Sequence, residues 1–416
     1  MNPFSITKYL KPLLPITNCH MVEFVTQNHW ERLLPRSLRE TLDGLELNEA
    51  LELFWSKAGG KETKGNINYI FIKRFPTLRF SPVLCVRLQK SKLKYTILHK
   101  QPDPELLKVG LHIYYQAKQA KHVPVQVQTM SRLVASLQAA CGAACCVEAG
   151  GGRGALAAAL GLAYGVRSLS LDCDAAAVAA GPGRVRTIQV CALFVTMAFK
   201  TFTHWLLVAG LHTCGNLGPD SLRIFTSQAS TAAVFNVPCC YHLLSESVDV
   251  NMFDVFQRDY GNGESSQGFP MSECLRGYNL GRNARMLAAQ SIDRVLSQRQ
   301  LPSTSLLYRA LLITPKCQTF QQYFKMADDI LKLELYDSLP GSYFTDIHKN
   351  MDCQWKKLVL FYLLRLCLAQ VVESLILLDR LMFLFENGLE NVYLVKLFDP
   401  VLSPRCHSIV AVRKQL

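Results

Sequence analysis

A glycine-rich turn between an apolar segment and an alanine-rich segment is the strongest constraint on the fold of this chain of 416 residues. The turn reads Val147-Glu-Ala-Gly-Gly-Gly-Arg-Gly154. Residues 144–149 before it are short and apolar, as in a buried strand, and residues 155–164 after it have the alanine and leucine content of a helix. A second apolar segment follows at 166–171. This order predicts two adjacent parallel strands joined by a helix.

Similar short apolar segments recur along the chain and predict the remaining strands. They lie at residues 185–190, 205–211, 232–238, 392–398 and 408–412. The first three are separated by helical segments, which favours a parallel sheet covered on both faces. The last two are joined by a short turn that contains prolines, which favours an antiparallel pair at one edge. The predicted fold class is therefore α/β.

Shifts in composition divide the chain into four predicted regions. Residues 1–125 are basic and mainly helical, with helical patterning over 21–34 and 36–54, and residues 126–245 form the core of the sheet. Residues 246–390 form a helical insertion that starts near a polar break at 261–268, and residues 391–416 supply the last two strands.

The most apolar segment of the chain, residues 358–385, is interrupted by charged residues. A membrane span needs roughly 20 apolar residues with few charges. The charged side chains fall on one stripe of a helix, so we predict an amphipathic helix with a broad buried face and no membrane association. These residues are Arg365, Glu373, Asp379, Arg380 and Glu386.

The charge of the chain is strongly positive and unevenly distributed. Lys and Arg number 45 against 32 acidic residues, a net charge of +13. The stretch from Lys57 to Lys100 holds eleven basic residues and one acid, Glu62, and is interleaved with aromatic residues such as Tyr69 and Phe71. Such a stretch suits single-stranded nucleic acid, which needs charge for phosphates and flat rings for bases. The alternative is a solvated surface whose aromatic rings lie in the core.

The fifteen cysteines favour a reducing compartment. Their number is odd, they are scattered, and the first residues do not resemble a secretory signal peptide. We therefore expect free thiols in an intracellular protein, cytoplasmic or nuclear.

The glycine-rich turn predicts a nucleoside-binding site. Gly150, Gly152 and Gly154 let a ligand approach the backbone at the start of a helix, and Asp172 at the end of the next strand is placed to accept hydrogen bonds from ribose hydroxyls. Glu148 favours a ligand with a cationic part over a pyrophosphate. S-adenosylmethionine has that character. The alternative is a turn without a ligand.

Polar and thiol side chains follow two further predicted strands and are expected at the same sheet edge, since ligands bind at the carboxyl ends of parallel strands. One alternative is a zinc site built from His212, Cys214, Cys239, Cys240 and His242, but the spacing lacks the C-x-x-C arrangement, so no metal is predicted. A second alternative is proton abstraction by His212 or Tyr241, and a third is packing around the cofactor. The candidates are His212, Cys214, Asn216, Cys239, Cys240 and Tyr241.

Several separated blocks resemble the methyltransferase-like protein 25 family. They are VEAGGGRG, LHTCGNL, VPCCYHLLSE, GFPMSE, NARMLAAQ, VVESLILLDRLMFLFENG and LSPRCHSIVAVRK. The resemblance implies a Rossmann-like class I methyltransferase sheet that binds S-adenosylmethionine, with the helical N-terminal region and insertion as additions. It places the cofactor at Glu148, Gly150, Gly152, Gly154 and Asp172. Asn216 stands where the family has an aspartate.

The sequence thus leads to two competing functional hypotheses. The first is an S-adenosylmethionine-dependent methyltransferase with an RNA or protein acceptor. RNA gains support by analogy, because the two cysteine blocks also resemble those of a eukaryotic tRNA 2′-O-methyltransferase group. The second is a catalytically inactive scaffold that binds RNA or an acidic protein. Neither the acceptor atom nor the oligomeric state follows from the sequence.

Overall fold

The computed structural model describes residues 3–55, 125–179, 186–189, 205–246, 268–311, 317–344 and 351–413. The predictions for the basic stretch 57–100 and for residues 261–267 of the polar break lie outside these residues. The chain groups into two compact units. The first is Met1–Ser5, Val83–Ala289 and Glu373–Leu416, and the second is Ile6–Pro82 and Gln290–Val372.

The helices of the described residues are numbered in chain order. They are α1 (Pro3–Leu10), α2 (Leu14–Asn18), α3 (His29–Leu33), α4 (Arg36–Asp43), α5 (Leu47–Trp55), α6 (Val125–Cys141), α7 (Ala155–Tyr164), α8 (Ala175–Ala179), α9 (Leu217–Ser227), α10 (Arg282–Ala288), α11 (Ile292–Gln298), α12 (Thr304–Leu311), α13 (Phe320–Leu331) and α14 (Asp352–Glu386). Short 3-10 turns occur between them.

The first unit contains a seven-stranded sheet. Its strands are β1 (Cys145–Ala149), β2 (Ser168–Asp172), β3 (Arg186–Gln189), β4 (Leu206–Cys214), β5 (Thr231–Cys239), β6 (Asn391–Lys396) and β7 (His407–Val412). The order across the sheet is β3-β2-β1-β4-β5-β7-β6. Strands β1 to β5 run parallel, and β7 pairs antiparallel with both β5 and β6. The predicted parallel sheet with an antiparallel edge pair is confirmed.

Helices cover both faces of the sheet because its central strands are apolar on both sides. On one face, Leu156 and Leu160 of α7 lie in one core cluster with residues of α6, β4 and β5. On the other face, Phe225 of α9 and Leu381 of α14 lie in a second cluster with Val147 of β1. The alanine-rich helix α7 has the bounds that the sequence predicted. It ends at Gly165, whose φ of +65° suits a residue without a side chain.

The second unit is helical, but its first helices are shorter than predicted. The predicted helix over 21–34 is wrong, because Asn28 adopts a left-handed conformation with φ of +48° and α3 begins only after it. The predicted helix over 36–54 is divided at Gly44, which caps the end of α4. Elsewhere in this unit, aromatic side chains of Tyr308, Phe320 and Tyr323 pack together in a small core.

The long helix α14 buries charged residues that the sequence placed on its polar face. By composition it is long and apolar enough to cross a membrane, and 72% of its most apolar window is buried within the structure. Arg365 donates to the carbonyls of Ile16 and Thr17 at 3.0 and 3.1 Å in the second unit. Glu373, Asp379 and Arg380 are buried as well. The predicted polar stripe is therefore wrong for these residues, because packing against the rest of the structure excludes water from their side chains.

Asp379 fastens α14 to the segment before α10. Its carboxylate accepts hydrogen bonds from the backbone N–H groups of Met271 and Ser272 at 2.7 and 2.9 Å and from the Ser272 hydroxyl at 2.7 Å. Glu386 makes a similar pair of bonds to the N–H groups of Glu273 and Cys274, but it is exposed to solvent. The two acids thus differ mainly in burial.

We expect Asp379→Ala to lower the free energy of unfolding by about 3 kcal/mol, because it leaves two buried donors of Ser272 and the half-buried Met271 N–H without their acceptor. Glu386→Ala should cost less than about 1 kcal/mol, since water replaces an exposed partner. Urea unfolding followed by circular dichroism measures both values. Equal losses for the two variants would show that burial of the Asp379 carboxylate has no special role.

Candidate cofactor and thiol site

The glycine-rich turn joins β1 to α7 and is held in place by β2. The N–H groups of Gly150 and Gly151 donate to the carbonyl of Leu171 at 2.9 and 3.1 Å. Gly150, Gly152 and Gly154 all have positive φ, between +57° and +74°, which other residues rarely adopt. A Cβ on Gly150 would overlap the Leu217 side chain, whereas a Cβ on Gly152 would meet nothing within 4 Å. The turn is therefore packed on one side and open on the other.

Asp172 lies beside this turn, as its spacing predicted. It is the last residue of β2, and its Oδ2 accepts the N–H of Gly152 at 2.6 Å. Its Oδ1 accepts the N–H of Asp174 at 2.9 Å. A carboxylate has about four acceptor positions, so two backbone bonds leave capacity for further hydroxyl donors. The strand end and the open glycine thus present acceptor oxygens and bare backbone together.

Glu148 lies inside the protein rather than at the surface of the turn. It is only 3% exposed, and its Oε2 accepts the backbone N–H of Ala157 in the first turn of α7 at 3.0 Å. Burial raises the pKa of Glu148 to about 7, against the lowering effect of this N–H. The sequence assigned Glu148 to a cationic ligand, whereas the described contact anchors the helix whose N-terminus faces the turn.

The ends of β4 and β5 bring three thiols together. Cys214 and Cys239 are register partners in these parallel strands, and their sulfur atoms are 3.1 Å apart. Cys240 follows in a left-handed conformation with φ of +46°, and all three sulfur atoms lie within 4.8 Å of one another. Among the described residues this cluster includes neither His212 nor His242, so the structure assembles only the three cysteines of the five residues in the zinc hypothesis.

The three thiols have different acidities. A hydrogen bond from Cys239 lowers the pKa of Cys214 to about 6, and the charge of Asp172 opposes this shift. Sharing its proton with Cys214 raises the pKa of Cys239, and burial raises that of Cys240. Cys214 is the exposed member of the group. The pairing of β1 with β4, and the His212 carbonyl 3.7 Å from the position of a Cβ on Gly150, place the glycine turn and the end of the thiol strand β4 at the same sheet edge.

His212 and Asn216 lie on either side of Cys214 in the sequence and differ in their contacts. The His212 side chain is exposed at the end of β4, although partial desolvation lowers its pKa. Its backbone carbonyl lies 3.7 Å from the position of a Cβ on Gly150. Asn216 is tied to Ser245 by two hydrogen bonds, Nδ2 to Oγ at 2.9 Å and the Ser245 N–H to Oδ1 at 3.0 Å. His212 is therefore available to a ligand, and Asn216 connects two loops.

Tyr241 is a buried member of a charged cluster. Its hydroxyl donates to Oε1 of Glu373 at 2.9 Å, and the guanidinium carbons of Arg380 and Arg405 lie 5.8 and 5.6 Å from the ring centroid. Burial and the nearby Glu373 raise the pKa of Tyr241 far above its ordinary value. These contacts favour the packing alternative for Tyr241 over proton abstraction.

Sequence reasoning missed the residues that support the thiol loop from a distance along the chain. Glu373, Arg380 and Arg405 surround Tyr241, yet they come more than 130 residues after it. Nothing in the local pattern connects them to the loop. The available signal was their position within the blocks VVESLILLDRL and LSPRCH, which carry the family resemblance.

Comparison with known proteins agrees with the geometry. Residues 118–247 match a family described as a methyltransferase domain. Two curated relatives, both named "Probable methyltransferase-like protein 25", are similar to this chain. The mouse protein is 41% identical over 232 residues, which cover 50% of this chain and 38% of the relative. The human protein is 38% identical over 234 residues, which cover 50% of this chain and 37% of the relative.

These matches confirm the resemblance and the fold class that the motifs indicated. The residues that match the methyltransferase-domain family belong to the first unit, whose sheet is of the Rossmann-like class I type. The matched part spans less than two fifths of the length of the curated relatives. No solved structure matches the chain.

The raised pKa of Glu148 makes stability depend on pH. Its folded pKa of about 7 lies above the ordinary value of 4.5, so the stabilising neutral form is lost as pH rises through this window. Between pH 4.5 and pH 7 the free energy of unfolding of the wild type should fall by about 3 kcal/mol. We expect Glu148→Gln, which keeps an acceptor oxygen for the Ala157 N–H, to abolish this fall. Urea unfolding at pH 5 and pH 8 tests this. Wild type and variant curves that shift in parallel would contradict it.

Proposed function

We propose that this chain, which carries a methyltransferase domain, binds S-adenosylmethionine at the glycine-rich turn and transfers its methyl group. The observation that carries the proposal is the bond from the Gly152 N–H to Asp172 beside an open glycine backbone. The acid at the end of the second strand can accept hydrogen bonds from the ribose hydroxyls of an adenosine. The turn without side chains at the end of the first strand lets the base and sugar approach the backbone closely.

The residues of the turn fit this cofactor by their donors and their shape. Asp172 has acceptor capacity for ribose hydroxyls beyond its two backbone bonds. Gly152 faces free space, and any side chain there would enter the volume that the adenosine requires. Glu148 supports the site indirectly, because it fixes the first turn of α7. When bound, S-adenosylmethionine supplies an electrophilic methyl group on a sulfonium.

We assign the acceptor side of the crevice to the ends of β4 and β5. His212 and Cys214 are exposed there, and the His212 carbonyl lies 3.7 Å from the position of a Cβ on Gly150 in the turn. The chain need not supply a strong acid and base for this reaction, since displacement at a sulfonium depends chiefly on proximity and orientation. The tied pair Asn216 and Ser245 and the buried Tyr241 hold these strand ends in a fixed geometry.

We infer a macromolecular acceptor, with RNA ahead of protein. The charge of +10 between Lys57 and Lys100 supports a polyanion, because phosphate contacts depend on clustered cations. The free thiols of the described cysteines support a reducing, intracellular setting. The scaffold hypothesis keeps the same partners without methyl transfer, so binding of the cofactor separates the two.

Calorimetry with S-adenosylmethionine tests the cofactor site. We expect saturable binding that Asp172→Ala weakens about 100-fold or more, because hydrogen bonds from hydroxyls to a carboxylate are lost. Asp399→Ala is the matched control, since Asp399 is exposed and its Oδ1 accepts the N–H two residues later, as Asp172 does. Absence of heat for wild type at millimolar cofactor would favour the scaffold.

Transfer of a tritiated methyl group into fractionated cell extract tests the reaction and its acceptor. We expect label in the RNA fraction with wild type and a loss of at least about 100-fold with Gly152→Arg, since the side chain fills the site. Gly165→Arg is the control, because Gly165 at the other end of α7 also has positive φ and open space around it. Label in the protein fraction would show that the acceptor is a protein. Equal activity of the Gly152→Arg and Gly165→Arg variants would contradict cofactor binding at the glycine-rich turn.

A further inference from the structure

The three cysteines at the ends of β4 and β5 form a group that methyl transfer does not require. Their sulfur atoms lie within 4.8 Å of one another, and two of them are 3.1 Å apart. Three thiolates bound to one zinc ion at about 2.3 Å lie about 3.8 Å from one another. The observed separations bracket this value, so small side-chain rotations bring all three into coordination distance.

The backbone is shaped to bring these thiols together. Cys214 and Cys239 are direct partners in register, so their side chains project to the same face of the sheet. In a continuing strand Cys240 would point to the opposite face. Its left-handed conformation, with φ of +46° and ψ of +49°, turns the third sulfur back toward the other two. A non-glycine residue in this region carries strain, and such strain is concentrated at functional sites.

A buried cation that interacts electrostatically with Cys239 provides the second observation. Arg380 is fully buried, and none of its three guanidinium nitrogens has a hydrogen-bond partner within the part of the chain that the structure describes. Its charge acts on Tyr241, Asp379 and Cys239. A buried cation needs compensating negative charge. The adjacent Asp379 carboxylate supplies one such charge, and an ionised Cys239 would add to it, so Arg380 favours negative charge on the thiol cluster.

We propose that Cys214, Cys239 and Cys240 bind one zinc ion at the edge of the sheet. Three thiolates and a divalent ion carry a net charge of −1, which the buried Arg380 offsets. A disulfide between Cys214 and Cys239 needs only two of the thiols and gives no role to the third. Cys214 is exposed, which gives the ion a path of entry.

The ion has a fourth coordination position that the cluster leaves to water or an exogenous ligand. Three protein ligands with an open position are the arrangement of reactive zinc sites, whereas structural sites use four. The proposal concerns metal binding alone and stands whether or not the crevice transfers methyl groups. Calorimetry with S-adenosylmethionine therefore tests the function, and the metal experiments below test the zinc site.

The first experiment measures zinc bound to the full chain after purification under reducing conditions. We expect one zinc ion per chain, and a Co²⁺-substituted form with thiolate charge-transfer bands. Cys214→Ser and Cys240→Ser should each weaken zinc binding more than the 10-fold to 100-fold loss typical of a supporting residue. Cys141→Ser is the control, because Cys141 is a buried cysteine of α6 outside the cluster. Absence of zinc, or equal binding by all variants, would overturn the site.

A second experiment uses only the wild-type chain and so does not depend on the folding of the variants. Iodoacetamide labelling, mapped by mass spectrometry, is compared with and without added zinc after treatment with a chelator. We expect zinc to protect Cys214 at least 10-fold and to leave Cys173 unchanged, since Cys173 is also exposed but lies outside the cluster. Equal labelling of Cys214 in both conditions, or its recovery in a disulfide with Cys239, would contradict zinc binding.

Discussion

Parallel pairing of β1 with β2 on one side and β4 on the other decides where the chemistry of this protein lies. Val147 pairs with Leu169 of β2 and with Val208 of β4, so the three strands end at the same edge. The glycine turn, Asp172 and the thiol strand are thereby brought together from separate parts of the chain. The bond between the Gly152 N–H and Asp172 then closes the turn across two strands.

Buried carboxylates hold the segments that pack around this edge of the sheet. Glu148 holds the first turn of α7, Asp379 holds the segment before α10, and Glu373 accepts the hydroxyl of Tyr241. Each of these carboxylates is paired with donors, which is the condition under which buried charge is tolerated. The buried cation Arg380 differs from these carboxylates, since its guanidinium has no hydrogen-bond partner in the described part of the chain. The Arg380 charge interacts with Cys239, one of the three thiols.

The proposed cofactor site and the proposed zinc site lie at the same edge of the sheet but make different demands on the fold. The cofactor side needs absence of side chains, which glycine at positive φ provides at Gly150 and Gly152. The thiol side needs convergence of side chains, which register pairing and the left-handed Cys240 provide. The same strand ends therefore combine an open backbone with a dense group of donors.

Local sequence determined the sheet strands, α7 and the closeness of Asp172 to the turn, because these follow from short-range periodicity, glycine positions and the length of one strand–helix–strand unit. It failed where long-range partners decide. The spacing of the charged residues in α14 predicts a polar face, yet Asp379 and Arg380 are buried. Cysteine spacing gave no metal motif, yet Cys214 and Cys239, 25 residues apart, become neighbours. Only tertiary structure sets those contacts, since strand register and burial join residues whose separation along the chain carries no signal.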